Sequence, residues 1–85
     1  MPLEAMNTRE AIDRGCAWHV VHEGQVIHSL CVTETAEGAA FAAVVSWFGR
    51  RSRGRYTVSV RRHLPESRSG CTILDEARDI ETEII

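Results

Sequence analysis

The sequence predicts an α+β fold: an antiparallel three-stranded sheet in the order β-β-α-β, one helix packed on one sheet face, and short helices at both termini. Three observations predict it. Residues 16–32, "CAWHVVHEGQVIHSLCV", are two apolar runs rich in β-branched and aromatic residues around Glu23-Gly24, the pattern of a β-hairpin. Residues 35–49 carry helical periodicity between a capping threonine and a stopping glycine, and residues 55–62 alternate apolar and polar as a half-solvated strand does. At 85 residues the chain is one small domain, with residues 16–63 as its core segment. Such a domain buries only about 60–65% of the surface its unfolded chain exposes, which leaves little room for a deep cleft.

Turn chemistry decides the register of the hairpin. A two-residue type I′ loop needs Glu23 at positive φ, whereas a three-residue loop of His22, Glu23 and Gly24 needs only Gly24 there, and the second is expected. Val21 then faces Gln25. One face collects Cys16, Trp18, Val20, Val26, His28, Leu30 and Val32, and the other collects Ala17, His19, Val21, Gln25, Ile27, Ser29 and Cys31. The first set is the more uniformly apolar and is expected to meet the helix. His28 reads as a structural histidine on that face. His19 and His22, three apart in a strand, point to opposite faces and cannot share a metal ion.

The helix is expected over residues 36–48, with Thr35 as its cap, Glu37 in its first turn and Gly49 as its stop. Phe41, Val44, Val45 and Phe48 fall at i, i+3, i+4 and i+7 and predict the core stripe. Ala36, Ala40, Ala43 and Trp47 form a neighbouring strip of small residues ending in a large aromatic, and Trp47 reads as a partly exposed anchor. In the third strand Tyr56, Val58 and Val60 share the inner face, while Arg55, Thr57, Ser59 and Arg61 share the outer one; Pro65 closes it. The N-terminal helix is expected over about residues 8–14, with Asn7 and Glu10 as a capping box and Gly15 as its stop. The C-terminal helix is expected over about 73–82, because Ile73, Ala77, Ile80 and Ile84 sit at helical spacing behind Thr72, with Asp75 and Glu76 in the first turn.

Basic character is entirely arginine, ten residues and no lysine, and it is segregated along the chain. Residues 1–48 carry two Arg against six acids, residues 49–70 seven against one, and residues 71–85 one against five, which sums to the net charge of −2. The basic segment "GRRSRGRYTVSVRRH" raises nucleic acid as a partner. Acidic flanks oppose a polyanion at long range, however, so the arginines are expected to meet carboxylates, on a partner or on the chain's own C-terminal segment. The candidate partner-binding residues are Trp47, Arg50, Arg51, Arg53, Arg55 and Arg61, since Trp and Arg dominate interface energetics.

Catalytic and cofactor signatures do not occur: there is no GxGxxG, P-loop, HExxH, CxxC or GxSxG. The "GRRSRG" loop follows a helix and enters a strand, the reverse of the order that aims amides at a phosphate. The expectation is a protein that is not an enzyme and uses no cofactor or metal. Cys16, Cys31 and Cys71 are odd in number and widely spaced; Cys16 and Cys31 read as small apolar strand residues. No apolar run approaches the ~18 residues of a membrane span, and no secretory signal opens the chain, so a bacterial cytoplasm without membrane contact is expected.

Two short patterns carry a resemblance. "W-x-V-x(3)-G-x-x-V" is met by Trp18, Val20, Gly24 and Ile27 or Val26, and "T-x-x-G-A-A-x-A-A" by Thr35, Gly38, Ala39, Ala40, Ala42 and Ala43. With its hairpin, Ala-rich helix and following strand, the chain resembles over residues 15–63 the small anti-CRISPR inhibitors encoded by phages and mobile elements. The resemblance is one of layout. It implies a noncatalytic protein that occupies a surface of a nucleic-acid-binding effector complex, and it carries no functional residues over. The expected function is therefore a small protein-binding module acting as an inhibitor of a bacterial defence (CRISPR-Cas) complex. The alternatives are a nucleic-acid-binding domain using the basic patch of residues 50–62, and an accessory domain that forms a homodimer.

Overall fold

A computed structural model describes residues 3–65 and 75–85. After a short 3-10 turn at Leu3–Ala5 come α1 (Thr8–Asp13), β1 (Ala17–His22), β2 (Gln25–Val32), α2 (Ala36–Phe48), β3 (Gly54–Arg62) and β4 (Arg78–Ile84). The strands form one antiparallel sheet in the order β2-β1-β3-β4. The α+β class is as the sequence predicts, but the sheet has a fourth strand.

That fourth strand replaces the expected C-terminal helix. Residues 73 and 74 of the expected helix, and Thr72 before it, lie outside the described residues, and Arg78–Ile84 is extended and paired with β3 from Gly54↔Ile84 to Val60↔Arg78. Ile80 and Ile84 are four apart and so fit a helix, but with Thr82 they also form a period-2 inner row against an outer row of Asp79, Glu81 and Glu83. Ile80 and Ile84 are buried in the core.

The N-terminal helix forms as expected. Asn7 Oδ1 accepts from the Glu10 amide at 2.9 Å, and Asn7 Nδ2 donates to Glu10 Oε1 at 3.1 Å. It ends at Gly15 (φ 71°), where the Gly15 amide donates to Ile12 and the Cys16 amide to Ala11, the paired bonds of a Schellman motif. Ala11 and Ile12 bury against Ala17, with Met6, Leu30 and Val32 around them.

The hairpin uses the turn that was not expected. His22 pairs with Gln25, leaving Glu23 and Gly24 as a two-residue loop with φ of 50° and 79°, the type I′ arrangement whose twist matches the strands. Two register shifts follow, between Trp18 and Val20 and between Val20 and Val21, so that Val20 opposes His28 and Trp18 opposes Cys31. On β1 the expected face holds: Trp18 and Val20 are in the main core. On β2 it does not, because Ile27 and Cys31 enter that core, Val26 is exposed, and Leu30 and Val32 pack with α1 on the other side. Trp18 Nε1 donates to the Thr33 carbonyl at 2.9 Å, which ties β1 to the chain entering α2.

Helix α2 has the expected bounds and caps but is rotated from the expected orientation. Thr35 Oγ1 accepts from the Gly38 amide at 3.0 Å, and a Cβ on Gly38 would approach that oxygen to 3.1 Å, so glycine keeps the cap uncrowded. The residues that face the sheet are Ala36, Ala39, Ala40, Ala43 and Val44. Phe41, expected in the core, is 39% exposed, and Val45 and Phe48 are partly buried at its margin. The physical reason is volume. The sheet supplies the bulk through Trp18, Val20, Ile27, Val58, Val60, Ile80 and Ile84, so the helix fits closely only through its small residues. Alternation in β3 is as expected, with Val58 and Val60 buried and Tyr56 packed beside them.

Candidate functional site

Six side chains were expected to form a contact surface, and the fold divides them. Trp47 is 48% exposed in the last turn of α2, and Arg50, Arg51 and Arg53 are exposed in the turn that follows. Arg55 begins the outer face of β3. Arg61 lies six residues further along the same face, about 20 Å at the rise of a strand, opposite His19 of β1. The fold brings Trp47 and the three turn arginines together at one end of α2, and leaves Arg61 outside that group.

The turn is held from below by groups with no local motif to announce them. Gly49 (φ 91°) leaves the helix while its amide still donates to the Val45 carbonyl at 2.9 Å. Ser52 returns to the helix end, its hydroxyl donating to the Phe48 carbonyl at 2.7 Å and its amide to Gly49 at 3.1 Å. The Tyr56 hydroxyl then donates to the Ser52 carbonyl at 2.7 Å. The Tyr56 ring stacks on Phe48 with centroids 4.5 Å apart, and the His22 ring meets Phe48 edge-on at 5.2 Å. His22 Nδ1 donates to the Thr57 carbonyl at 3.1 Å, which fixes the Nδ1–H tautomer of the neutral ring because a carbonyl only accepts. A helix end, a strand start and the hairpin end thus converge beneath the arginines.

Ion pairing separates the arginines further. Arg62 bonds Asp75 at 2.8 Å and accepts the Asp75 amide on its own carbonyl. The Asp75 carboxyl is held below the usual carboxylate range by the Glu76 amide, which donates to it, and by Arg62. Arg55 approaches Glu81 of β4 at 3.7 Å, an exposed pair of the kind worth about 0–1 kcal/mol. These carboxylates do lie in the chain's own C-terminal segment, on or just before a strand. Among the described residues Arg50, Arg51, Arg53 and Arg61 make no ion pair.

Beside the turn a groove of about 280 Å³ runs between α2 and β4, lined by Phe41, Val45, Ile84 and Ile85, with Arg50 and Glu83 at its rim. A second hollow of about 310 Å³ lies where Arg62 crosses Gly15, near His63. His63 is buried and donates Nε2–H to the Ser29 carbonyl at 2.9 Å, so that nitrogen is committed to structure. Burial raises the Cys31 thiol, which keeps it protonated near neutral pH. Cys31 and the half-buried Cys16 are free thiols, and Cys71 lies outside the described residues. Among the described residues no three His, Cys, Asp or Glu side chains gather as metal ligands would, and no helix is long and apolar enough to cross a membrane. Searches against family models, curated proteins and solved structures find no match to this chain.

Proposed function

We propose that this protein is a noncatalytic protein-binding module that docks through the end of α2, with Trp47 entering an apolar pocket of a partner and Arg50, Arg51 and Arg53 meeting carboxylates around it. The observation that carries this reading is the pinned turn, which presents three arginines without internal partners beside a half-exposed tryptophan. A backbone turn already ordered has less entropy to lose on binding, and planar guanidinium forks pair carboxylates in bidentate fashion. In the form that the layout resemblance suggests, the partner is a component of a CRISPR effector and binding inhibits it.

Changing Arg51 and Arg53 together to Glu tests the site. Capture of the partner, or inhibition in an effector cleavage assay, should fall by at least about tenfold, since Arg is a frequent hot spot. The melting temperature should stay unchanged. Loss of stability with normal capture per folded molecule would show that the arginines serve only the fold.

A nucleic-acid partner is the weaker reading, because the outer face that carries Arg55 and Arg61 also carries Asp79, Glu81 and Glu83. Three phosphate contacts from the turn would give log K a slope against log salt of only about −3 on duplex DNA. Submicromolar DNA binding with a slope of about −5 or steeper would favour it instead.

A further inference from the structure

Strand β4 is an edge of the sheet, and among the described residues nothing pairs with its free side. An open edge is a template for another strand, and folds that avoid such pairing place charges there. The charges on β4 are all of one sign on its outer row: Asp79, Glu81 and Glu83 are exposed, and a single arginine of β3, Arg55, serves two of them, standing across the ladder from Glu83 and approaching Glu81 at 3.7 Å. On the inner side, the strand borders the groove floored by Phe41, Val45, Ile84 and the 94%-exposed Ile85. The edge therefore offers backbone groups, an acidic row and an apolar trough, each in register with a neighbouring strand's alternation.

A second copy does not fit this edge. Twofold antiparallel pairing of β4 with itself keeps both helix layers on the same side of the joined sheet, so outer row meets outer row. In the centred register Glu81 faces Glu81 of the other copy and Asp79 faces Glu83, and like charges directly opposite destabilise a strand pair. We propose that β4 binds an extended partner segment in which lysine or arginine alternates with apolar residues. Its basic side chains lie along Asp79, Glu81 and Glu83, and an apolar one enters the α2–β4 groove. This is β-strand addition, in which main-chain bonds give affinity and alternate side chains give specificity. Arg50 borders both this groove and the arginine turn, but Arg51 and Arg53 do not line the groove and Asp79, Glu81 and Glu83 are no part of the turn, so variants at those positions let the two proposals fail separately.

The test is a titration of the full chain, labelled with nitrogen-15, with a nine-residue peptide alternating lysine and valine. Amide shifts should concentrate in Arg78–Ile84, the β4 amides left free by β3 should gain exchange protection, and affinity should fall as salt rises. The same peptide with glutamate for lysine, and the lysine peptide N-methylated at alternate residues, should each bind at least about tenfold more weakly. Reversing Asp79, Glu81 and Glu83 to Lys should remove lysine-peptide binding and transfer binding to the glutamate peptide, a gain that a merely unfolded variant cannot show. Arg51→Glu with Arg53→Glu should leave lysine-peptide binding unchanged. Shifts spread away from β4, equal binding of both charge types, or concentration-dependent dimerisation that protects β4 would each overturn the proposal.

Discussion

The sheet-facing strip of α2 and its C-terminal end are built on opposite principles. Along the strip, Ala36, Ala39, Ala40 and Ala43 are buried and nearly featureless, and they matter because they occupy little space. Phe41 midway along the helix, and Trp47 with the arginine turn at its end, are large and at least partly in water. Residue size is thus inverted with respect to burial along one helix. The lesson is that a large apolar side chain is evidence of a core only when the opposing surface has room for it.

Substitutions can break or sharpen that contrast. The largest effect is expected from Ala40→Leu, because three extra heavy atoms must enter a contact with no exposed surface. It should cost about 1–3 kcal/mol or more by thermal or urea unfolding, and a neutral result would mean the helix stands further from the sheet than described. Phe41→Ala should cost less, about 1–2 kcal/mol, well short of the 3–5 that a fully buried Phe loses. A loss above that range in the same unfolding experiment would restore the orientation first expected from the helical stripe.

Next comes the support of the turn. Tyr56→Phe removes the hydroxyl bond to Ser52 and should cost about 0.5–1.5 kcal/mol, with faster amide exchange confined to residues 50–53. If exchange there is unchanged, the Ser52 bonds to Phe48 and Gly49 hold the turn without the tyrosine. The smallest effect concerns the paired arginine for contrast with the free ones. The Asp75 carboxyl is held below its unfolded value, so its contribution is present above about pH 4 and is lost as the pH falls through its lower folded value. Asp75→Asn should therefore lower the melting temperature slightly at pH 7, and the difference should shrink as the pH is taken to about 3. A difference that persists undiminished at pH 3 would assign the effect to something other than this charge.

Much of the fold was legible because its signals are local. Thr35 and Gly49 bracket α2, Asn7 and Gly15 bracket α1, and the alternation of Tyr56, Val58 and Val60 places β3 without reference to anything distant. What was misread depended on partners. Ile80 and Ile84 satisfy both a helical and a strand period, and the intervening acids lower the apparent strand propensity, so only pairing with β3 decides between them. Omitting β4 leaves the sheet one strand narrow and lacking Ile80 and Ile84, which makes Phe41 look necessary to fill the core. The hairpin error has a different origin: Glu23 takes a positive φ because strand twist favours the tight turn, and the two register shifts then move Ile27 and Cys31 inward. For the candidate site, adjacency in sequence already places Trp47, Arg50, Arg51 and Arg53 at one end of α2. It could not reveal that Arg55 has an internal partner or that Arg61 stands a strand's length away.

The pairing of β3 with β4 also sets an order of events in time. β1 and β2 meet across two residues, whereas fifteen residues separate β3 from β4 in sequence, and bringing more distant segments together costs more chain entropy before any contact offsets it. The local hairpin is the natural early structure, and β4 arrives late. Once docked, β4 is hydrogen-bonded on one side only and is held otherwise by Ile80 and Ile84 against α2, which makes it the strand expected to open first in native-state hydrogen exchange. Release of β4 would free the bonding edge of β3 and withdraw Ile80 and Ile84 from the core, so the β3 amides bonded to β4 should exchange faster than those bonded to β1.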